Sequence, residues 1–309
     1  MAVTNVSERR VEADADRAAP SGPVRSGLHR GASVTKPILD RLHTLLRRLA
    51  KRPIESVHTV GRAVLLSASV IRYMVQDAVS LRLPGGEITH QCWALYKVTA
   101  LPALLMAVPI GGIVAVQTAG LINQVGAASI VGAASGVGIV RQGAPMTAGL
   151  LMGGAAASAI ASDLGARAIR EELDAFRVMG VDPVRTLVVP RFLALIILAP
   201  VLTAVIIASA VAASFLLAVT VSDVTSGSFW ASFGAFAKIV DVWFAIGKAV
   251  VFAAIVAIVS SLKGIEAKGG PRGVADAVNA SVVVNVVGIV IANLVITQIQ
   301  AMFFPMAVA

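Results

Sequence analysis

The chain has 309 residues, 57% of them hydrophobic and 14% charged, and its mean hydropathy is +0.84. Soluble domains carry about 25% charged residues, so this is the composition of a membrane protein. The net charge of +9 does not point to nucleic acid, because 15 of the 26 Lys and Arg precede residue 98, and basic residues clustered beside spans set topology. A lone Cys92 excludes an intrachain disulfide framework and a cysteine metal cluster, and His29, His43, His58 and His90 lack ligand-like spacing.

Residues 1–52 are polar and basic, with no apolar run after the first charges. They read as a disordered cytoplasmic tail rather than a secretory signal. Its later part, "LDRLHTLLRRLAKR", reads as a short basic helix, either resting on anionic lipid or solvated. Residues 53–309 then form one all-α, polytopic unit. Its first segment is interrupted by Arg62 and Arg72, too soon for a crossing of about 20 residues. Val60, Val64, Val70 and Met74 share a broad face, so the segment is expected to be an amphipathic interfacial helix. Trp93 and Tyr96 mark an interfacial belt before the first crossing.

Five transmembrane helices are expected near 98–120, 143–166, 192–218, 242–262 and 281–304. The uncharged stretch 121–140 is long enough for a sixth. Five spans, however, put Arg167 to Arg191 and Lys263, Lys268 and Arg272 on the side of the basic tail, as the positive-inside rule requires. The stretch is therefore expected to be an extracytoplasmic or re-entrant helix sheltered by protein. The N-terminus is cytoplasmic and the C-terminus extracytoplasmic.

Between the second and third spans runs "IREELDAFRVMGVDPVR". Ile169, Leu173 and Phe176 recur at helical spacing, which predicts one amphipathic helix near 169–180. Glu171, Glu172 and Asp174 fall early and Arg177 late, matching the helix dipole. Gly180 suits a left-handed cap, and Asp182–Pro183 reads as the start of the next helix. On the residues alone, this is either a docking helix on the inner membrane face or a connector.

Several polar groups fall inside the spans. Asn285, Asn293, Thr297 and Gln300 lie at offsets of eight, twelve and fifteen residues, hence on one face. They line a headgroup cavity or a permease interface, or they hydrogen-bond a neighbouring helix. Ile289 on the same helix is expected to face lipid. Gln117, Asn123 and Gln124 are weaker candidates of this kind. Lys248 sits within the fourth span, where it meets a lipid phosphate or carboxylate, pairs with an acid, or snorkels. The small-residue run "GLLMGGAAASAIAS" permits close helix packing, and Asp163 after it needs no special role. No G-x-x-x-x-G-K-[ST] occurs, and no catalytic constellation or metal-ligand set stands out.

"EELDAFRVMGVDP" resembles the signature of the MlaE/YrbE permeases, and the likeness extends through "ASDLGARAIREELDAFRVMGVDPVRTLVVPRFLA" and "GIEAKGGPRGVADAVNASVV", covering roughly 55–305. Within that family the chain most resembles the YrbE proteins associated with Mce lipid-import systems of actinobacteria. The resemblance implies a non-catalytic permease subunit of an ABC-type lipid transporter in the cytoplasmic (inner) membrane, moving fatty acids, sterols or phospholipids. It implies as partners a second YrbE-like permease, identical or not, a cytoplasmic ABC ATPase dimer and extracytoplasmic Mce proteins, and no nucleic acid. This chain would hold no cofactor, ATP and Mg belonging to the ATPase. Carried over, the ATPase-coupling helix comprises Arg170, Glu171, Glu172, Leu173, Asp174, Ala175, Phe176, Arg177, Val178, Met179 and Gly180. The family has Arg-Glu before the second span, whereas here "VRQGAP" puts Gln142 in place of the acid. A secondary transporter and a non-transporting scaffold for envelope proteins are the alternatives. The first should show ion-coupling acids in mid-span, and the second would not need the inner-face helix.

Overall fold

The computed structural model describes residues 61–77, 85–124, 130–222 and 224–303, without the side chain of Asn123. The tail 1–52 with its basic helix, His29, His43, His58, Val60 and the C-terminal residues 304–309 lie outside the described residues. We number the helices α1 (61–77), α2 (Gly85–Gln124), α3 (Val131–Ile169), α4 (Glu172–Val178), α5 (Val184–Val221), α6 (Ser226–Phe236), α7 (Ile239–Ile265) and α8 (Pro271–Phe303). Among the described residues there is no strand. The helices α2, α3, α5, α7 and α8 are long and apolar enough to cross a membrane. The protein is an all-α, multi-pass membrane protein with five such helices among the described residues.

The boundaries differ from expectation in one instructive place. The stretch 121–140 is not a separate helix. Its first residues finish α2, and Val131 onward runs without interruption into the second spanning helix. Leu121 and Ile130 are exposed, but Val131, Gly132, Ala133, Ser135 and Gly136 are buried. They pack against α6, which the sequence reading did not anticipate. Phe229 of α6 is fully enclosed and joins Phe215, Trp230 and Phe233 in a cluster with ring centroids 5.3–6.3 Å apart. Thr225, in extended backbone, starts that helix, and Phe229, Phe233 and Phe236 recur at helical spacing.

Small residues set the closest helix pairing. Ala103, Ala107, Gly111, Ala115 and Ala119 repeat every four residues and form the buried edge of α2. They lie along α5, where a Cβ on Gly111 would stand 2.1 Å from the Ala210 carbonyl oxygen. Without a hydrophobic drive between helices in lipid, backbone proximity of this kind supplies the packing. The run Gly149–Ser162 does the same on α3. A Cβ on Gly149 would meet Phe252 at 2.7 Å and Ile289 at 2.9 Å. Ile289 is therefore buried between α3 and α8 and not lipid-facing as its position in the stripe's helix implied.

Helix α1 is present, but its face is divided. Val70 is fully buried, with Leu66, Tyr73 and Met74 packed beside it on the core, whereas Val64, Leu65, Ile71 and Val75 are exposed. Trp93 and Tyr96 are exposed and stacked, with Lys97 Nζ 5.1 Å from the Trp93 ring centre. They lie inside α2, which begins at Gly85, rather than ahead of it.

Candidate functional site

Two polar regions stand apart from the apolar bundle. The first lies between α3, α7 and α8. In α3 the turn Ile139–Gly143 widens to π-helical geometry. Pro145 has no N–H to give to the carbonyl four residues back, which belongs to Arg141. That oxygen accepts instead from Lys248 Nζ at 2.9 Å. The ammonium also donates to Thr297 Oγ1 at 3.0 Å and is fully buried. Thr297 Oγ1 accepts from Gln142 Nε2 at 3.2 Å, and Asn293 Nδ2 donates to Gln142 Oε1 at 3.1 Å. Lys248 thus neither snorkels nor contacts an acid directly.

Asp241, one turn into α7 and 2% exposed, completes this region. Arg141 Nε stands 2.8 Å from its carboxylate, to which Gln300 Nε2 donates at 3.2 Å. Its other oxygen caps the helix by accepting from the Lys238 N–H at 3.4 Å. The group brings two cations, Arg141 and Lys248, to one anion, Asp241. Beside it opens an apolar cavity of about 470 Å³, lined by Val240, Trp243, Phe244, Val251 and Ile296 with Lys248.

The stripe on α8 is therefore turned onto α3 and α7 and engaged in hydrogen bonds. Asn285 is fully buried and donates to Ser260 Oγ at 2.9 Å and Ser281 Oγ at 3.3 Å. Each of the stripe's four members hydrogen-bonds a neighbouring helix, which is one of the alternatives the sequence left open. Gln117 is elsewhere, on an apolar groove with Val108, Pro109, Gly112 and Leu217. Asp241 escaped the sequence reading, although an acid at the third position after an extended residue is a capping signal.

The second region is the charged end of the bundle, and it corrects the predicted 169–180 helix. Ile169 ends α3, and Glu171 takes left-handed backbone, φ 60°, before α4 starts. A non-glycine residue there costs about 1–2 kcal/mol, and the break re-aims the chain. Leu173 is buried and Phe176 packs on the core, so the apolar face of the helix is turned inward. What projects is Val178, 89% exposed, and Met179, 66% exposed. Arg170 pairs with Glu172 at 3.1 Å and Arg177 with Asp174 at 2.6 Å.

The end of α4 forms as the sequence predicts. Val181 N–H donates to Phe176 O at 2.9 Å and Gly180 N–H to Arg177 O at 3.0 Å, with Gly180 at φ 76°. Asp182 Oδ1 then accepts from Val184 N–H at 2.8 Å and caps α5. Below this turn Asp163 is more than a boundary charge. It receives the guanidinium of Arg191, 3% exposed, and that of Arg167 at 3.3 Å. A polar basin of about 780 Å³, lined by Tyr73, Asp77, Glu87, Arg167, Arg185 and Arg191 among others, opens beside α1. Tyr73 Oη donates to Asp182 Oδ2 at 2.5 Å, and this bond raises the phenol above its ordinary range. Among the described residues no group of His, Cys, Asp and Glu is placed to hold a metal ion.

Among the described residues, five helices of spanning length with a buried polar junction and a short capped helix at one end define a multi-pass membrane protein. The sequence profile of the permease MlaE family matches residues 88–299, and the chain belongs to that family. It is 28% identical over 191 residues to a probable ABC transporter permease protein of Synechocystis, covering 62% of this chain and 73% of that protein. It is 26% identical over 258 residues to a probable ABC transporter permease protein of Rickettsia felis, covering 84% and 98%. It is also 27% identical over 238 residues to the intermembrane phospholipid transport system permease protein MlaE of Haemophilus influenzae, covering 76% and 89%.

Proposed function

We propose that the chain is the permease subunit of an ABC-type lipid transporter of the Mce kind, moving an amphiphile with an anionic headgroup. It acts in the cytoplasmic membrane with α1 and α4 on the inner side. The observation that carries this reading is family membership joined to relatives named as ABC permeases, one of them in a phospholipid transport system. A cytoplasmic ATPase dimer supplies the energy, docking on the tip of α4. Val178 and Met179 are the apolar groups available there, framed by Arg170, Glu171, Asp174 and Arg177. A second permease, identical or a paralogue, and extracytoplasmic Mce proteins complete the assembly.

The substrate class follows from charge. The junction of Arg141, Lys248 and Asp241 carries one excess positive charge, because the family's acid is Gln142 here. An anionic headgroup balances it, and the neighbouring apolar cavity takes hydrocarbon. The buried acid does not favour a secondary transporter, since Asp241 is already held by Arg141 and Gln300. The test is co-purification of an ATPase with the tagged chain and ATP-dependent lipid uptake by vesicles holding the complex. Met179→Asp should abolish the co-purification with insertion intact. If wild type brings down no ATPase and shows no ATP-dependent uptake, the reading is wrong.

A further inference from the structure

As described, helix α1 (61–77) is not among the helices long and apolar enough to cross a membrane, and it lies outside the polar junction, yet residues near either limit of that range are fastened to different parts of the protein. At its C-terminal end Asp77, 3% exposed, forms a two-pronged ion pair with Arg185, one prong at 3.1 Å. One turn earlier Tyr73 donates to Asp182 at 2.5 Å. Asp182 belongs to the connection between α4 and α5, and Arg185 to the first turn of α5 that follows it. At its N-terminal end Arg62 pairs at 2.8 Å with Glu266, which follows the last residue of α7. Between them Leu66, Val70, Tyr73 and Met74 press the helix on the core. From Arg62 to Asp77 is about 22 Å of helix.

An α-helix of this length is stiff, so a displacement at one end appears at the other. The near joint is the stronger. A bidentate guanidinium–carboxylate pair fixes orientation as well as distance, and the Asp77 carboxylate is withdrawn from water. The far joint is a single, more exposed pair.

From this arrangement we infer that α1 is a strap carrying movement of the α4–α5 connection to the end of α7, with Asp77, Arg185 and Arg62 as its positioning residues. It rests on the reading of α4 as the ATPase dock. When the ATPase pulls on α4, Arg185 and Asp182 move α1, and Arg62 moves the end of the helix that carries Asp241 and Lys248. α5 also touches α7 directly. The strap differs from that route in requiring Arg62, which lies far from the dock.

The experiment uses the full chain with its partner ATPase in vesicles, reading ATP hydrolysis and extraction of a fluorescent anionic phospholipid. Asp77→Asn and Arg62→Ala should each leave hydrolysis within about twofold of wild type and cut extraction at least fivefold. The exchanged pair Arg62→Glu with Glu266→Arg should restore extraction. Normal extraction in Arg62→Ala, or parallel loss of hydrolysis and extraction without rescue by the exchanged pair, would overturn the strap. Hydrogen exchange of the same chain gives a reading independent of transport. Asp77→Asn should speed exchange at 262–268 as well as in α1 and α4, and unchanged exchange at 262–268 would also overturn it. If wild type shows no ATP-driven extraction while the exchange coupling is present, the proposed function fails and the mechanical link stands.

Discussion

Lys248 Nζ on α7 donates to Thr297 Oγ1 on α8 at 3.0 Å, and the same hydroxyl accepts from Gln142 of α3 at 3.2 Å. One threonine oxygen thus joins three spanning helices around a buried cation. Leaving a buried donor without its partner costs about 1–3 kcal/mol. Thr297→Val should lower the thermal midpoint of the detergent-purified chain by several degrees. Thr297→Ser, which keeps the hydroxyl, should recover most of it. Equal midpoints for Thr297→Val and wild type would show that the ammonium finds another acceptor.

Gln142→Glu places a carboxylate beside Thr297, the second in the junction after Asp241, and removes the junction's excess positive charge. Uptake of a lipid with a net negative headgroup should fall severalfold, and uptake of a zwitterionic one should fall less. Competition between the two lipids in one vesicle assay measures this. Unchanged selectivity would remove the junction from headgroup recognition.

The Tyr73 phenol is raised above its ordinary value of about 10 because it donates to the Asp182 carboxylate, while Arg72 and Arg185 oppose the shift. A group whose folded value is raised stabilises the fold below its unfolded value and loses that contribution as pH rises through the folded one. The tie between α1 and α5 is therefore complete at neutral pH and released only in strong alkali. In a Tyr96→Phe background Tyr73 is the one tyrosine left. Its ultraviolet titration should move to lower pH when Asp182→Asn is added, and an unmoved curve would contradict the bond.

If the five helices of spanning length, and no other segment, cross the membrane, the two ends of the chain lie on opposite sides of it. With α4 inside, a reporter fused after Ala309 that works only in the cytoplasm should be silent, and one fused before residue 61 should be active. Activity at both ends would require an even number of crossings.

Local chemistry was legible in the sequence wherever one residue determined the backbone. Gly180 adopts the left-handed cap and Asp182 the helix start because those needs are met by their own side chains or lack of one. The five helices of spanning length were legible from apolar length together with the loop charges that spoke against a sixth at 121–140. The face Ile169–Leu173–Phe176 was misread because its break falls at Glu171, a residue with no preference for positive φ. The break is accompanied by packing of Leu173 and Phe176 on the core and by ion pairs of Arg167 and Arg170 with Glu172. The polar stripe on α8 was found, but its partners were not, since Gln142 and Asp241 lie about 150 and 60 residues away in the chain and pairing at that distance leaves no periodic trace.

The seam of α2 against α5 has a mechanical consequence. Where Gly111 meets Ala210, main chain touches main chain, and no long side chain lies between them to change rotamer and absorb a shift. Two rods in such contact cannot slide by fractions of a turn without collision, so they turn as one body. A single methyl added at Gly111 should therefore jam the mechanism or split the pair rather than loosen it by degrees.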